Sequence, residues 1–202
     1  MSELLLPPEL EREMAAVYAE LARAYEVVAS TLGLSCSGCP DNCCDSWFFH
    51  YTYCEWAYLW QGLKQLDGAT LAAIHARAEA YLGAAHKAEA AGQRPRLLCP
   101  LNEGGLCRLY RHRLLICRSH GVPATLAGPD GRMRRFPGCF RCQELVAGSF
   151  GEPAQAPAME RTVLFRRLAL VEQRLLGPGR RSYPRLRLTI ADMIVQGPPQ
   201  RQ

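Results

Sequence analysis

The segment Cys36-Ser-Gly-Cys39-Pro-Asp-Asn-Cys43-Cys44 constrains this chain more than any other, because it sets four thiols within nine residues. Gly, Pro, Asp and Asn between them favour tight turns and let the backbone curl around a small object. Thiolates are soft ligands for zinc, iron–sulfur clusters and copper(I). Bare thiols this close repel one another when ionised and oxidise readily, so a metal is their natural occupant. Further cysteines follow: Cys99 and Cys107 in Cys99-Pro-Leu-Asn-Glu-Gly-Gly-Leu-Cys107, then Cys117, then the pair Cys139-Phe-Arg-Cys142. The fold is expected to bring these groups together.

The ten cysteines read as metal ligands and not as a disulfide framework. With 202 residues, 49% of them apolar, the chain can bury a core without disulfide staples. The opening Met-Ser-Glu-Leu-Leu-Leu-Pro-Pro-Glu has no basic n-region, and Pro7 and Pro8 cut its apolar run short, so it does not read as a secretory signal. No stretch approaches a membrane span in length. The expectation is a single cytoplasmic domain over residues 1–202, with reduced thiols and no membrane partner.

The net charge of +5 comes from 22 arginines and only two lysines, Lys64 and Lys87, against 19 acids. Between Arg94 and Arg141 lie ten arginines and two acids, Glu103 and Asp130. An anionic partner such as nucleic acid is one reading. Arginines offsetting metal-bound thiolates is the preferred one, because no basic motif interleaved with aromatics accompanies the charge. Nucleic acid is therefore a disfavoured partner, and a protein partner stays open.

Hydrophobic periodicity predicts a mainly α-helical protein. A helix over residues 8–33 carries Leu10, Met14, Val17, Leu21, Tyr25 and Val28 on one face, with Pro8 in its first turn and Gly33 as its stop. A second, over 46–66, is rich in aromatics from Trp47 to Trp60 and reads as buried. On it His50 and Cys54 lie four apart, which reads as a hydrogen-bonded His and a buried Cys in preference to a ligand pair. Thr70 starts a third helix, running to about Ala91. Its His75 and His86 read as surface or packing residues. From Arg94 to Cys142 the helical period vanishes. There Asn102–Gly105 reads as a turn flanked by Cys99 and Cys107, and Gly128–Gly131 as the turn of a small β-hairpin. Residues 147–157 read as a linker, 158–176 as a fourth helix, and Thr189 as the cap of a short last one, closing a helical C-terminal region over 158–196. The fold class is thus a helical bundle with an irregular, metal-ordered, Cys-rich segment carrying a small β-hairpin.

The first cysteine group has the spacing C-x2-C-x3-C-C. Cys36 and Cys39 form a common half-site for zinc or an iron–sulfur cluster. Adjacent cysteines rarely both bind one ion, so Cys43 and Cys44 serve two metals, or one of them hydrogen-bonds from outside the ligand set. The candidate ligands are Cys36, Cys39, Cys43, Cys44, Cys99, Cys107, Cys117 and Cys139. Cys142 and His120 are subsidiary candidates, since His can replace Cys in both kinds of site.

These motifs bear a likeness beyond their chemistry. Cys36-x2-Cys39-x3-Cys43-Cys44, followed by Cys99-Pro-Leu-x5-Cys107-Arg-Leu-Tyr110-x2-Arg113-x3-Cys117-Arg118, resembles the CxxCxxCC family of zinc- or iron-chelating domains, the YkgJ-like cysteine-cluster proteins. The likeness covers about residues 36–142. It implies a bacterial cytoplasmic protein that binds zinc or iron, the iron in some cases as a cluster. A similar domain occurs in enzymes that methylate flagellin lysines. The chain departs from the family in having three residues before the Cys pair instead of two, and Leu114 where the family has proline after the arginine.

Three functions compete at this point. The first is an iron–sulfur or iron protein in a redox or accessory role. The second is a zinc-stabilised module that binds protein or nucleic acid. The third is an enzyme related to the lysine methylases. Against the enzyme, no strand leads into a Gly-rich turn that would cradle a nucleotide or S-adenosylmethionine. The C-x3-C-x2-C spacing of radical enzymes also fails, because position 46 is Ser46. No Ser/His/Asp set is evident either, although Cys44 could act as a nucleophile if other thiols held the metal. The metal-binding reading leads, with an iron–sulfur cluster favoured over zinc.

Overall fold

A computed structural model describes residues 2–37, 43–128 and 130–202. The chain is mainly α-helical, with two small sheets. The helices are α1 (Pro8–Thr31), α2 (Tyr53–Leu63), α3 (Gly68–Ala90), α4 (Leu115–Ser119), α5 (Phe140–Ser149), α6 (Thr162–Leu176) and α7 (Ile190–Val195). The strands are β1 (Asn102–Glu103), β2 (Leu106–Cys107), β3 (Ala124–Ala127), β4 (Met133–Phe136) and β5 (Met159–Glu160). No described helix is long and apolar enough to cross a membrane. The chain divides into two compact units, one made of residues 1–11, 44–114 and 171–202, the other of residues 12–43 and 115–170.

In the first unit α2 is almost wholly buried, as its aromatics require. The indoles of Trp56 and Trp60 both donate to the Met193 carbonyl of α7, at 3.1 and 2.8 Å, so their polar ends are satisfied inside an apolar setting. Tyr58 donates to the Arg111 carbonyl at 2.9 Å. Helix α3 packs on α7. It starts at Gly68 and not at Thr70, because the Asp67 side chain accepts from the Thr70 N–H as an N-cap. Helix α7 has the expected Thr189 cap, completed by Asp192 as a capping box.

Helix α2 is shorter than the sequence suggests. Its first turn is at Tyr53, and residues 46–52 are not helical apart from an isolated bridge between His50 and Leu188. Two features set that start. Thr52 is the N-cap in extended conformation, and although its side chain makes no cap bond to the backbone, its hydroxyl donates to Glu55 at 2.9 Å. The Glu172 carboxylate accepts from the N–H groups of Tyr53 and Cys54 at 3.0 and 2.8 Å, satisfying two donors that a helix start leaves orphaned.

In the second unit β4, β3 and β5 form a three-stranded sheet in that order. β3 and β4 are the expected hairpin. β5 was not anticipated: Met159 and Glu160 run parallel to β3, so α6 starts at Thr162 and not at residue 158. The segment read as a linker contains the end of α5 and a short 3-10 turn, Pro153–Gln155. The Arg161 guanidinium is buried beside the sheet, over the Phe136 ring at 4.0 Å, and donates to the Ser119 hydroxyl at 3.2 Å. Cys142, Val146 and Ala156 form a small core, joined by Leu32, Leu34, Cys139 and Phe150.

Candidate functional site

Eight cysteines can be placed, and none of them is in a disulfide. Cys39 lies outside the described residues, and Cys43 enters only through its backbone in a 3-10 turn, Cys43–Asp45. The eight fall into two physical classes. Cys54 and Cys142 are fully buried, whereas Cys36 is exposed and Cys44, Cys99, Cys107, Cys117 and Cys139 are partly so.

In the first unit the thiol-bearing segments are brought together by backbone bonds. The Cys99 N–H donates to the Cys44 carbonyl at 2.8 Å, joining two cysteines remote in sequence. The Cys99 carbonyl accepts from Asn102 at 2.8 Å, which makes a turn with Pro100 as its second residue. Asn102 then pairs with Cys107 across the β1–β2 hairpin. Gly104 and Gly105, at φ 59° and 87°, supply the left-handed loop such a hairpin needs. Cys99 and Cys107 therefore flank a hairpin, as the sequence suggests.

Two arginine and asparagine nitrogens border this hairpin. Arg77 of α3 donates through Nε to the Pro100 carbonyl at 2.9 Å. Its Nη2 is buried with no hydrogen-bond partner among the described residues, and so is Nδ2 of Asn102. Buried donors are normally satisfied, so an unsatisfied pair bordering the hairpin that Cys99 and Cys107 flank calls for an acceptor. Thiolate or sulfide sulfur is such an acceptor, and N–H donors around a metal site commonly bond to its sulfurs. The donor set thus fits an anionic metal–thiolate group. Tyr81 belongs to the same neighbourhood: its hydroxyl is pushed up to about 12, mainly by burial and further by the nearby Cys99. Arg77 escapes a sequence reading because nothing in its Ala-rich helix marks this lone arginine as anything but a solvent-facing residue.

In the second unit Cys139 stands just before α5, and its N–H donates to the Gly121 carbonyl at 3.0 Å. Gly138 makes that approach possible: it has φ 86°, and a Cβ there would lie 2.6 Å from the Gly121 oxygen. Leu34, two residues before Cys36, packs in the same cluster as Cys139. Cys142 is a core residue, and burial, with Cys139 adding to it, pushes its thiol up to about 11. Cys117 lies in α4, whose neighbouring Arg118 stacks on Tyr18. The His120 N–H donates to Ile116, which continues that helical turn.

His112 and His50 have structural settings. His112 packs on Tyr58 with ring centroids 4.8 Å apart, and fills the space over Gly62. His50 is buried, and desolvation holds it down to about 4, so it is neutral. Its Nδ1 has no hydrogen-bond partner among the described residues. Cys54 sits beside Glu172, and burial raises its pKa well above the usual thiol range.

Among the described residues no three His, Cys, Asp or Glu side chains are gathered as around one ion. Within the first unit, backbone bonds join the segments carrying Cys44, Cys99 and Cys107, and within the second Leu34 and Cys139 share one small cluster. No protein-family model matches the chain, and neither a curated protein nor a solved structure matches it.

Proposed function

We propose that this chain is a cysteine-cluster metal-binding protein that holds an iron–sulfur cluster, or iron, through thiolates in a redox or accessory role. The observation that carries the reading is the pair of buried, unsatisfied donors, Arg77 Nη2 and Asn102 Nδ2, beside a hairpin flanked by Cys99 and Cys107. Zinc is the alternative occupant. The motif's likeness to the YkgJ-like proteins supports metal binding, and thiols kept reduced in this number fit a bacterial cytoplasm.

The proposed ligands are Cys44, Cys99 and Cys107 in the first unit, Cys36, Cys117 and Cys139 in the second, and Cys39 and Cys43 of the first cysteine group. A cluster, when bound, would supply one-electron chemistry, and zinc would supply cross-linking alone. The protein's own part is to leave Cys36, Cys44, Cys99, Cys107, Cys117 and Cys139 at least partly open to solvent. Arg77 and Asn102 would donate to the sulfurs and offset their charge.

The test is metal content in serine variants. Cys99→Ser and Cys36→Ser are expected to lose metal and soluble folded protein together. Full metal content in both would mean that the ligands lie elsewhere.

A further inference from the structure

We propose that the outer edge of β4 is a docking strand for an extended, acidic peptide segment of a partner protein. The inference is independent of which metal the cysteines hold.

β4 is an edge strand, paired with β3 on one side only. The phase of the ladder is fixed by the bond from the Gly128 N–H to the Arg132 carbonyl, 2.8 Å, which makes these residues a hydrogen-bonded pair. Alternation then makes Leu126–Arg134 and Ala124–Phe136 bonded pairs, so the backbone groups of Met133 and Arg135 point away from β3. The opposite side of β3 agrees with this phase: the Thr125 carbonyl accepts from Arg161 of the β5 segment, and Ala127 donates to Thr162. All four residues of β4 are exposed. The strand therefore presents unpaired main-chain donors and acceptors to any chain laid beside it.

Charge selects the occupant. Arg132, Arg134 and Arg135 lie on or next to this edge, with Asp130 the one acid between positions 104 and 143. Asp130 faces Arg132 at 3.9 Å, and Arg135 donates to the Ala156 carbonyl. Arg134 has no ion-pair partner among the described residues. A second copy of β4 would set arginine against arginine, which is unfavourable across strands. An acidic strand would set carboxylates there instead. Met133 and Phe136, both exposed, offer apolar contacts between the charges. Nucleic acid would use the arginines, but its phosphates only accept, so the outward carbonyls would go unmet.

The test is fluorescence polarisation of the full, metal-bearing chain with labelled short peptides of alternating Glu and Val, or Lys and Val, and with a single-stranded oligonucleotide. The Glu–Val peptide is expected to bind and the Lys–Val peptide to fail. N-methylation of alternate peptide residues should weaken binding about tenfold, because main-chain bonds supply the affinity. Met133→Pro, which removes one outward N–H without touching the β3 ladder, should do the same, and Arg134→Glu should cost several-fold. The proposal is overturned if the Glu–Val peptide does not bind or if N-methylation leaves its binding unchanged. It is also overturned by tighter binding of the oligonucleotide, or by self-association of the chain that Met133→Pro abolishes.

Discussion

Cys54 and Cys142 differ from the other thiols of this chain in the medium around them. Both are fully buried, one beside the Glu172 carboxylate and one in an apolar cluster, and burial raises both pKa values. A thiol in such a place stays protonated and behaves as a small hydrophobe. Cys36, Cys44, Cys99, Cys107, Cys117 and Cys139 keep some access to water, and three of them border a hairpin flanked by polar donors. The difference teaches that a thiolate at Cys54 or Cys142 would be costly to form, which its place in the sequence alone does not show.

The strongest way to break the comparison is to exchange the two classes. Cys44→Ser and Cys99→Ser should each abolish metal binding in the first unit, measured by elemental analysis, while Cys54→Ala and Cys142→Ala keep the full complement. Loss of metal in the buried pair, with the fold intact, would reverse the assignment.

Next in size is the buried polar framework around Cys54. Glu172→Ala leaves two buried N–H groups at the start of α2 without an acceptor, and should cost about 2–4 kcal/mol in urea unfolding. His50 should show as an acid sensitivity. Its pKa is about 4 folded and near 6.5 unfolded, so its contribution is complete above pH 6.5 and is lost as pH falls toward 4. The loss should approach about 3 kcal/mol, and His50→Leu should remove that part of the slope.

The smallest effect expected is at Cys142. Cys142→Ser puts a hydroxyl into an apolar cluster and should cost about 1–2 kcal/mol, with metal content unchanged.

Much of the fold was legible in the sequence, and the failures have physical causes. Pro8–Thr31, the Asn102–Cys107 and Ala124–Phe136 hairpins and the Thr189 cap all rest on local signals, namely period, turn glycines and a capping side chain. The late start of α2 rests partly on Glu172, more than a hundred residues away, and no local pattern announces it. Strand β5 is only two residues long and exists because β3 offers it an edge. At the candidate site the cysteines could be read directly. Arg77 and Asn102 could not, because their meaning comes from burial beside the hairpin and not from their neighbours in sequence.

The most direct measurement is metal and acid-labile sulfide content, with an absorbance spectrum, on protein purified without air. The account predicts iron with sulfide and a broad band near about 400 nm from thiolate-to-iron charge transfer. Zinc alone, without colour, would select the alternative occupant. A folded, soluble protein containing neither metal would contradict the central claim.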